Sequence, residues 1–190
     1  MNKTDVNKIF HIGIDKQMVV CPPDQVFSQP EFNFLFVLGG GLFEDENEYN
    51  RFTKYLKNLG EREFYILENI GATVTQRNSP FREIIDLNDD YRIFQEKVSV
   101  FEPPFGWMIN HFYIYGKNIN WGIYICEYPT INIIGCDKAL SHSFSQIFSI
   151  NGNGYANVEE FIAQEYQTKP ELRAEFIKQY CTTNGKTPNH

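Results

Sequence analysis

Apolar positions recur along this chain with two different periods, and the switches between them mark its elements. From Gly106 to Asp137 the residues read GWMINHFYIYGKNINWGIYICEYPTINIIGCD, three runs rich in Ile, Tyr, Phe, Trp and Thr separated by GKNIN and by Pro129-Thr130. β-Branched and aromatic side chains suit a pleated, packed surface, and Gly, Asn and Pro interrupt pairing, so the pattern predicts a three-strand meander. In its first strand Met108, Phe112 and Ile114 fall on one face and Ile109, His111, Tyr113 and Tyr115 on the other. In the second, Trp121, Ile123 and Ile125 oppose Tyr124, Cys126 and Tyr128. Neither face is polar, which predicts cover on both.

Upstream, Phe32 to Leu38 is an apolar run broken only by Asn33, a buried strand ended by Gly39, Gly40 and Gly41. The period then changes. Tyr49, Phe52, Leu56 and Leu59 form a helix stripe from about Glu44, with acids in the first turn and Gly60 as the stop. Glu63 to Ile70 alternates as a strand, and Gly71 to Pro80 is a loop. Arg82 to Lys97 fits two readings. Ile84, Ile85, Leu87, Tyr91 and Phe94 could line one helix, or Asp86 to Asp90 could be a turn carrying the N-cap of a second, short helix. Residues 1–30 read as an irregular lead-in with one strand at Met18 to Cys21, and Val98 to Phe101 as a brief strand. Helices are predicted at Ala139 to Phe148, Val158 to Tyr166 and Pro170 to Tyr180. The expected architecture is α+β: a mainly antiparallel sheet of five or six strands with three to five helices, one domain over 1–181 and a disordered tail over 182–190.

Charge narrows the partners. A net charge of −7 lacks the basic footprint that nucleic acid or an anionic membrane requires, and suits a basic protein. Cys21, Cys126, Cys136 and Cys181 are scattered, and no leader or membrane-spanning run is visible, which predicts free thiols in a cytoplasmic protein. Cys126 and Cys136 lie on neighbouring strands and could be close in space, which reads as two packed thiols before a redox pair or metal clip.

Candidate chemistry is sparse. The strand–Gly-Gly-Gly–helix sequence resembles a phosphate loop, but Glu44, Asp45, Glu46 and Glu48 fill its first turn with no Lys or Arg between Phe32 and Asn50. Like charges there outweigh a helix-dipole contribution of about 0.3–1 kcal/mol. His111 and Cys126 could form a nucleophile pair across the meander, but no oxyanion loop accompanies it; Glu127 and Asp137 could be a carboxylate pair, but both fall near strand ends where solvated acids are routine. No catalytic residue, metal ligand or cofactor is assigned. Ser149 to Glu160 (SINGNGYANVEE) resembles an EF-hand calcium loop, with Ser149, Asn151, Asn153, Tyr155, Asn157 and Glu160 at the ligand positions and Gly154 at the turn. Ser replaces the first Asp, and Glu160 is the one carboxylate. The same residues also read as a turn followed by a helix with an Asn157–Glu160 capping box.

The glycine run after a hydrophobic strand (Phe34 to Gly41), the Trp-led strand (Trp121 to Cys126) and SHSFSQIF (Ser141 to Phe148) resemble the SUKH superfamily. That resemblance implies an α+β protein without enzymatic activity that binds and neutralises a bacterial toxin. The expected function is therefore a protein–protein interaction module of the immunity type, with a basic toxin domain as partner. The acids Glu44, Asp45, Glu46, Glu48, Asp86, Asp89 and Asp90 are the expected contact residues. The alternatives are a small hydrolase-like enzyme using the meander face and a weak calcium-binding module.

Overall fold

The computed structural model describes residues 6–12, 20–39, 42–43, 45–72, 80–99, 111–150 and 154–181. Six strands, β1 (Asn33–Leu38), β2 (Glu63–Glu68), β3 (Arg82–Asp86), β4 (Phe112–Tyr115), β5 (Trp121–Cys126) and β6 (Ile131–Cys136), form one sheet in the order β1-β6-β5-β4-β2-β3. Every pairing is antiparallel. The helices are α1 (Glu46–Asn58), α2 (Tyr91–Val98), α3 (Lys138–Ile147), α4 (Gly154–Glu165) and α5 (Pro170–Phe176), the last continued by a π-helical turn at Ile177–Cys181. The result is an α+β single domain built on the predicted meander, β4-β5-β6, at the middle of the sheet. Met108 and Ile109 lie outside the described residues.

Strand alternation divides the core into two layers. Phe112, Ile114, Trp121, Ile123, Ile125, Ile134 and Cys136 pack with Phe52, Leu56, Phe94 and Phe144, so α1, α2 and α3 cover one face. Tyr113, Tyr115, Tyr124, Cys126, Ile131 and Ile133 pack with Phe10, Phe27, Val158, Ile162 and Phe176. There the cover is α4, α5 and the N-terminal lead-in. Both faces are closed, which explains why neither is polar in sequence.

Helix α1 follows its sequence closely. Tyr49, Phe52 and Leu56 are its buried stripe, and Asp45 caps it by accepting a hydrogen bond from the Asn47 amide at 2.7 Å. At its end Gly60 has φ 81°; its amide donates to the Lys57 carbonyl and the Glu61 amide to the Leu56 carbonyl, each at 3.0 Å. This Schellman pattern satisfies carbonyls the helix would otherwise leave open. Arg82 to Lys97 resolves as strand, turn and helix. Ile85 is fully buried while Ile84 is 45 % exposed, the alternation of an edge strand pairing β2, and Asp90 then caps α2 through the Ile93 amide at 2.8 Å.

The lead-in departs from expectation. Val20 and Cys21 form no strand, and Met18 lies outside the described residues. Yet Val6, Ile9, Phe10, Val26, Phe27 and Phe32 are all buried. The reason lies across the sheet, where Gly122 and Gly135 are register partners in β5 and β6. A Cβ at Gly122 would come within 2.6 Å of the Phe10 ring and one at Gly135 within 2.6 Å of the Phe27 ring. These paired glycines form a trough in which the lead-in aromatics lie. The brief strand expected at Val98 to Phe101 is not formed at its described end, because Val98 closes α2; residues 100 and 101 lie outside the described residues.

Candidate interaction face

Two acidic stretches, distant in sequence, meet where α1 and α2 begin. The Tyr49 hydroxyl donates to the Asp89 carbonyl at 3.1 Å, and the Tyr91 hydroxyl donates to the Phe43 carbonyl at 2.9 Å. Tyr49 also stacks on Phe94, with ring centroids 4.7 Å apart. Burial, then the carboxylates of Asp89, Asp90 and Asp86, raise the Tyr49 hydroxyl far above its ordinary pKa, so all three acids act on one buried side chain of α1.

The acids divide into two kinds. Asp45 and Asp90 cap the helices; Glu48 accepts from the Phe43 amide at 2.7 Å; Asp89 pairs with Lys97 at 2.8 Å. Asp86 accepts from the Asn88 amide and side chain at 2.8 and 3.0 Å, shaping the turn before α2. Glu46 is exposed, and Glu44 lies outside the described residues. Most of the expected contact residues therefore have structural work as well as charge. Hydrogen bonds from backbone amides satisfy lone pairs without neutralising a carboxylate, whereas the Lys97 ion pair offsets the charge of Asp89.

Phe43 joins the two stretches. Its backbone has φ 63°, a left-handed conformation that costs a non-glycine residue on the order of 1–3 kcal/mol. Its ring is nevertheless only 3 % exposed and contacts Tyr49, Phe52, Phe64, Phe94 and Phe148. Aromatic burial of that extent offsets the backbone strain. Sequence reasoning passed over Phe43, and its one visible signal was a lone aromatic between a glycine run and a helix cap.

The alternative sites come apart on the antiparallel register. Trp121 faces Cys136 and Cys126 faces Ile131, so the two cysteines occupy opposite ends of the β5–β6 ladder and opposite faces of the sheet. They are two separately packed free thiols, and the proximity that neighbouring strands allowed is not realised. Glu127 and Asp137 are separated in the same way, with the Asp137 amide bonded to the Asn120 carbonyl at the far end from Glu127. His111 turns to Tyr124, not Cys126, with Nδ1 3.0 Å from the hydroxyl. The Cys126 thiol donates to the Tyr128 carbonyl at 3.2 Å, and burial first, then the nearby Cys21, raise it well above a normal thiol. A thiol held protonated is a poor nucleophile. Burial alone lowers His111 to about 4.

The calcium-loop reading also changes. Helix α4 begins at Gly154, so Tyr155, Asn157 and Glu160 are helical, and Asn157 lies inside the helix where sequence predicted its N-cap. Val158, Ile162 and Tyr166 are buried against the sheet, and that packing carries the helix back past the local capping signal. Residues 151–153 lie outside the described residues. Among the described residues no group of three or more His, Cys, Asp or Glu is placed to hold a metal ion, and no helix is long and apolar enough to cross a membrane.

No family model, curated protein or solved structure matches this chain.

Proposed function

We propose that the chain is a protein–protein interaction module of the immunity type, which captures a basic toxin domain on the acidic face at the start of α1 and α2. The observation that carries this reading is the Tyr49–Asp89 bond, which holds the turn carrying Asp89 and Asp90 against the helix whose first turn carries Asp45, Glu46 and Glu48. The overall charge of −7 acts in the same direction, and charge complementarity speeds encounter with a cationic partner more than it tightens the final complex.

Gene neighbourhood supplies the partner for the test: the product of an adjacent toxin gene, titrated against this protein. Charge must be removed without removing the caps. Asn caps a helix about as well as Asp, so Asp45→Asn, Asp86→Asn and Asp90→Asn with Glu46→Gln neutralise the face while sparing the fold. The expected result is a several-fold slower association at low salt, with the gap closing as added salt shortens the screening length below about 10 Å. A neighbourhood containing a metabolic operon and no toxin gene, or an unchanged association rate in the folded quadruple variant, overturns the proposal.

A further inference from the structure

Strand β3 closes one side of the described sheet, and its outward edge carries a self-complementary pattern. Bonded and non-bonded pairs alternate along an antiparallel ladder. The Leu87 amide donates to the Arg62 carbonyl and the Glu68 amide to the Phe81 carbonyl, both at 2.9 Å. In this register residues 81, 83, 85 and 87 bond towards β2, so the amides and carbonyls of Arg82, Ile84 and Asp86 point away from the sheet. Side chains mark that direction at Ile84. Its amide donates to Glu83 Oε1 at 3.2 Å, and its carbonyl accepts from Lys97 Nζ at 3.1 Å. Both contacts lie at the surface, where another backbone can take their place. Arg82 and Asp86 are exposed, and between them Ile84 is 45 % exposed, a large apolar side chain on an open edge.

We propose that β3 is a self-association edge, through which two copies of the chain join antiparallel with Ile84 on the two-fold axis. In that arrangement each Ile84 amide donates to the Ile84 carbonyl of the second copy. Arg82 then stands opposite Asp86 of the second copy, and Asp86 opposite its Arg82. Opposite charges therefore flank a pair of facing isoleucines on one face of the joined sheet, and the same patch serves both copies, as a two-fold contact requires. Lys97 gives up the Ile84 carbonyl but keeps Asp89, its partner at 2.8 Å. The shared ladder is short, because the Asp86 carbonyl already accepts the Asp89 amide at 3.0 Å where the chain turns. An interface of this size belongs to the weak, reversible class. It is a surface separate from capture of a basic partner, and it stands or falls without that reading.

Sedimentation equilibrium of the full chain over a concentration series tests this, at about 0.15 M salt so that the −7 charge of each copy is screened. The unmodified protein is expected to show a monomer–dimer equilibrium. Ile84→Pro removes the outward amide and leaves the β2 ladder intact, since proline is tolerated on an edge strand where its nitrogen faces away. It should abolish the dimer. Arg82→Glu sets like charges opposite one another at both ends of the contact and should weaken association on the order of tenfold. Circular dichroism establishes that each variant is folded. An unmodified protein that stays monomeric at its highest soluble concentration overturns the proposal, whichever variants fold. A dimer that persists unchanged in folded Arg82→Glu or folded Ile84→Pro overturns it as well, because the contact then lies elsewhere.

Discussion

At the scale of single residues, His111 shows how a polar group is accommodated in an apolar layer. Asn69 donates to the Tyr124 oxygen, and the same hydroxyl lies 3.0 Å from His111 Nδ1, so the imidazole has a polar partner within the layer. The sign of its pH effect follows. In the unfolded chain the imidazole binds a proton as pH falls through its ordinary value of 6.5, while in the fold it stays neutral down to about 4. The unfolded state binds more protons across that window, so stability is full above pH 6.5 and declines as pH falls towards 4. The loss attributable to His111 should be roughly 2–4 kcal/mol. Chemical denaturation at a series of pH values measures it: His111→Gln should flatten the slope between pH 6.5 and 4, and an equally steep slope in the variant would assign the acid sensitivity elsewhere. Glu61 offers a parallel case in a carboxylate. It is only 5 % exposed because it accepts the Lys117 and Asn118 amides at 3.2 and 3.0 Å, pinning the β4–β5 turn. Nothing in its local sequence distinguishes it from the solvated acids nearby.

At the scale of elements, α1 and the lead-in are opposite cases. The caps, stripe and stop of α1 are local, and each is visible in the sequence as a residue type at a fixed spacing. The lead-in has prolines, polar breaks and no sustained period, so local rules make it irregular, and its backbone is irregular. Its burial is decided by β5 and β6, more than ninety residues later, where two glycines happen to be register partners. Gly122→Val should therefore destabilise the protein by about 1–3 kcal/mol, the usual cost of inserting methyl groups into a packed layer. A branched side chain there must displace Phe10 and Ile9. The same change in an otherwise exposed strand would follow β-propensity and stabilise. Thermal denaturation separates the outcomes, and a raised melting temperature would show that the trough is not occupied as described.

At the scale of the whole molecule, the meander is the common wall of both core layers. Ile123 is fully buried and its neighbour Ile125 3 % exposed, both on the face beneath the helices. Ile123→Ala or Ile125→Ala should cost about 2–5 kcal/mol, read from urea denaturation midpoints at constant slope. A shift near zero in both would make β5 peripheral to stability. The meander, the strand Phe32 to Leu38, the stripe of α1 and the α+β class were legible in the sequence, because hydrophobic period and turn chemistry are local properties. At Arg82 to Lys97 the turn and its capped helix were legible, but the strand Arg82–Asp86 was not, since Ile84 and Ile85 suit a helix until β2 is there to pair with. Tertiary structure alone decided what register and packing control. It separated Cys126 from Cys136 and Glu127 from Asp137, turned His111 towards Tyr124, and drew α4 back to Gly154. It also brought two acidic stretches to one face through a tyrosine hydroxyl. The cysteines, the acid pair and His111 depend on which residues stand opposite one another across the sheet, and the last two on how helices pack, and a chain read residue by residue holds the elements but not what they face.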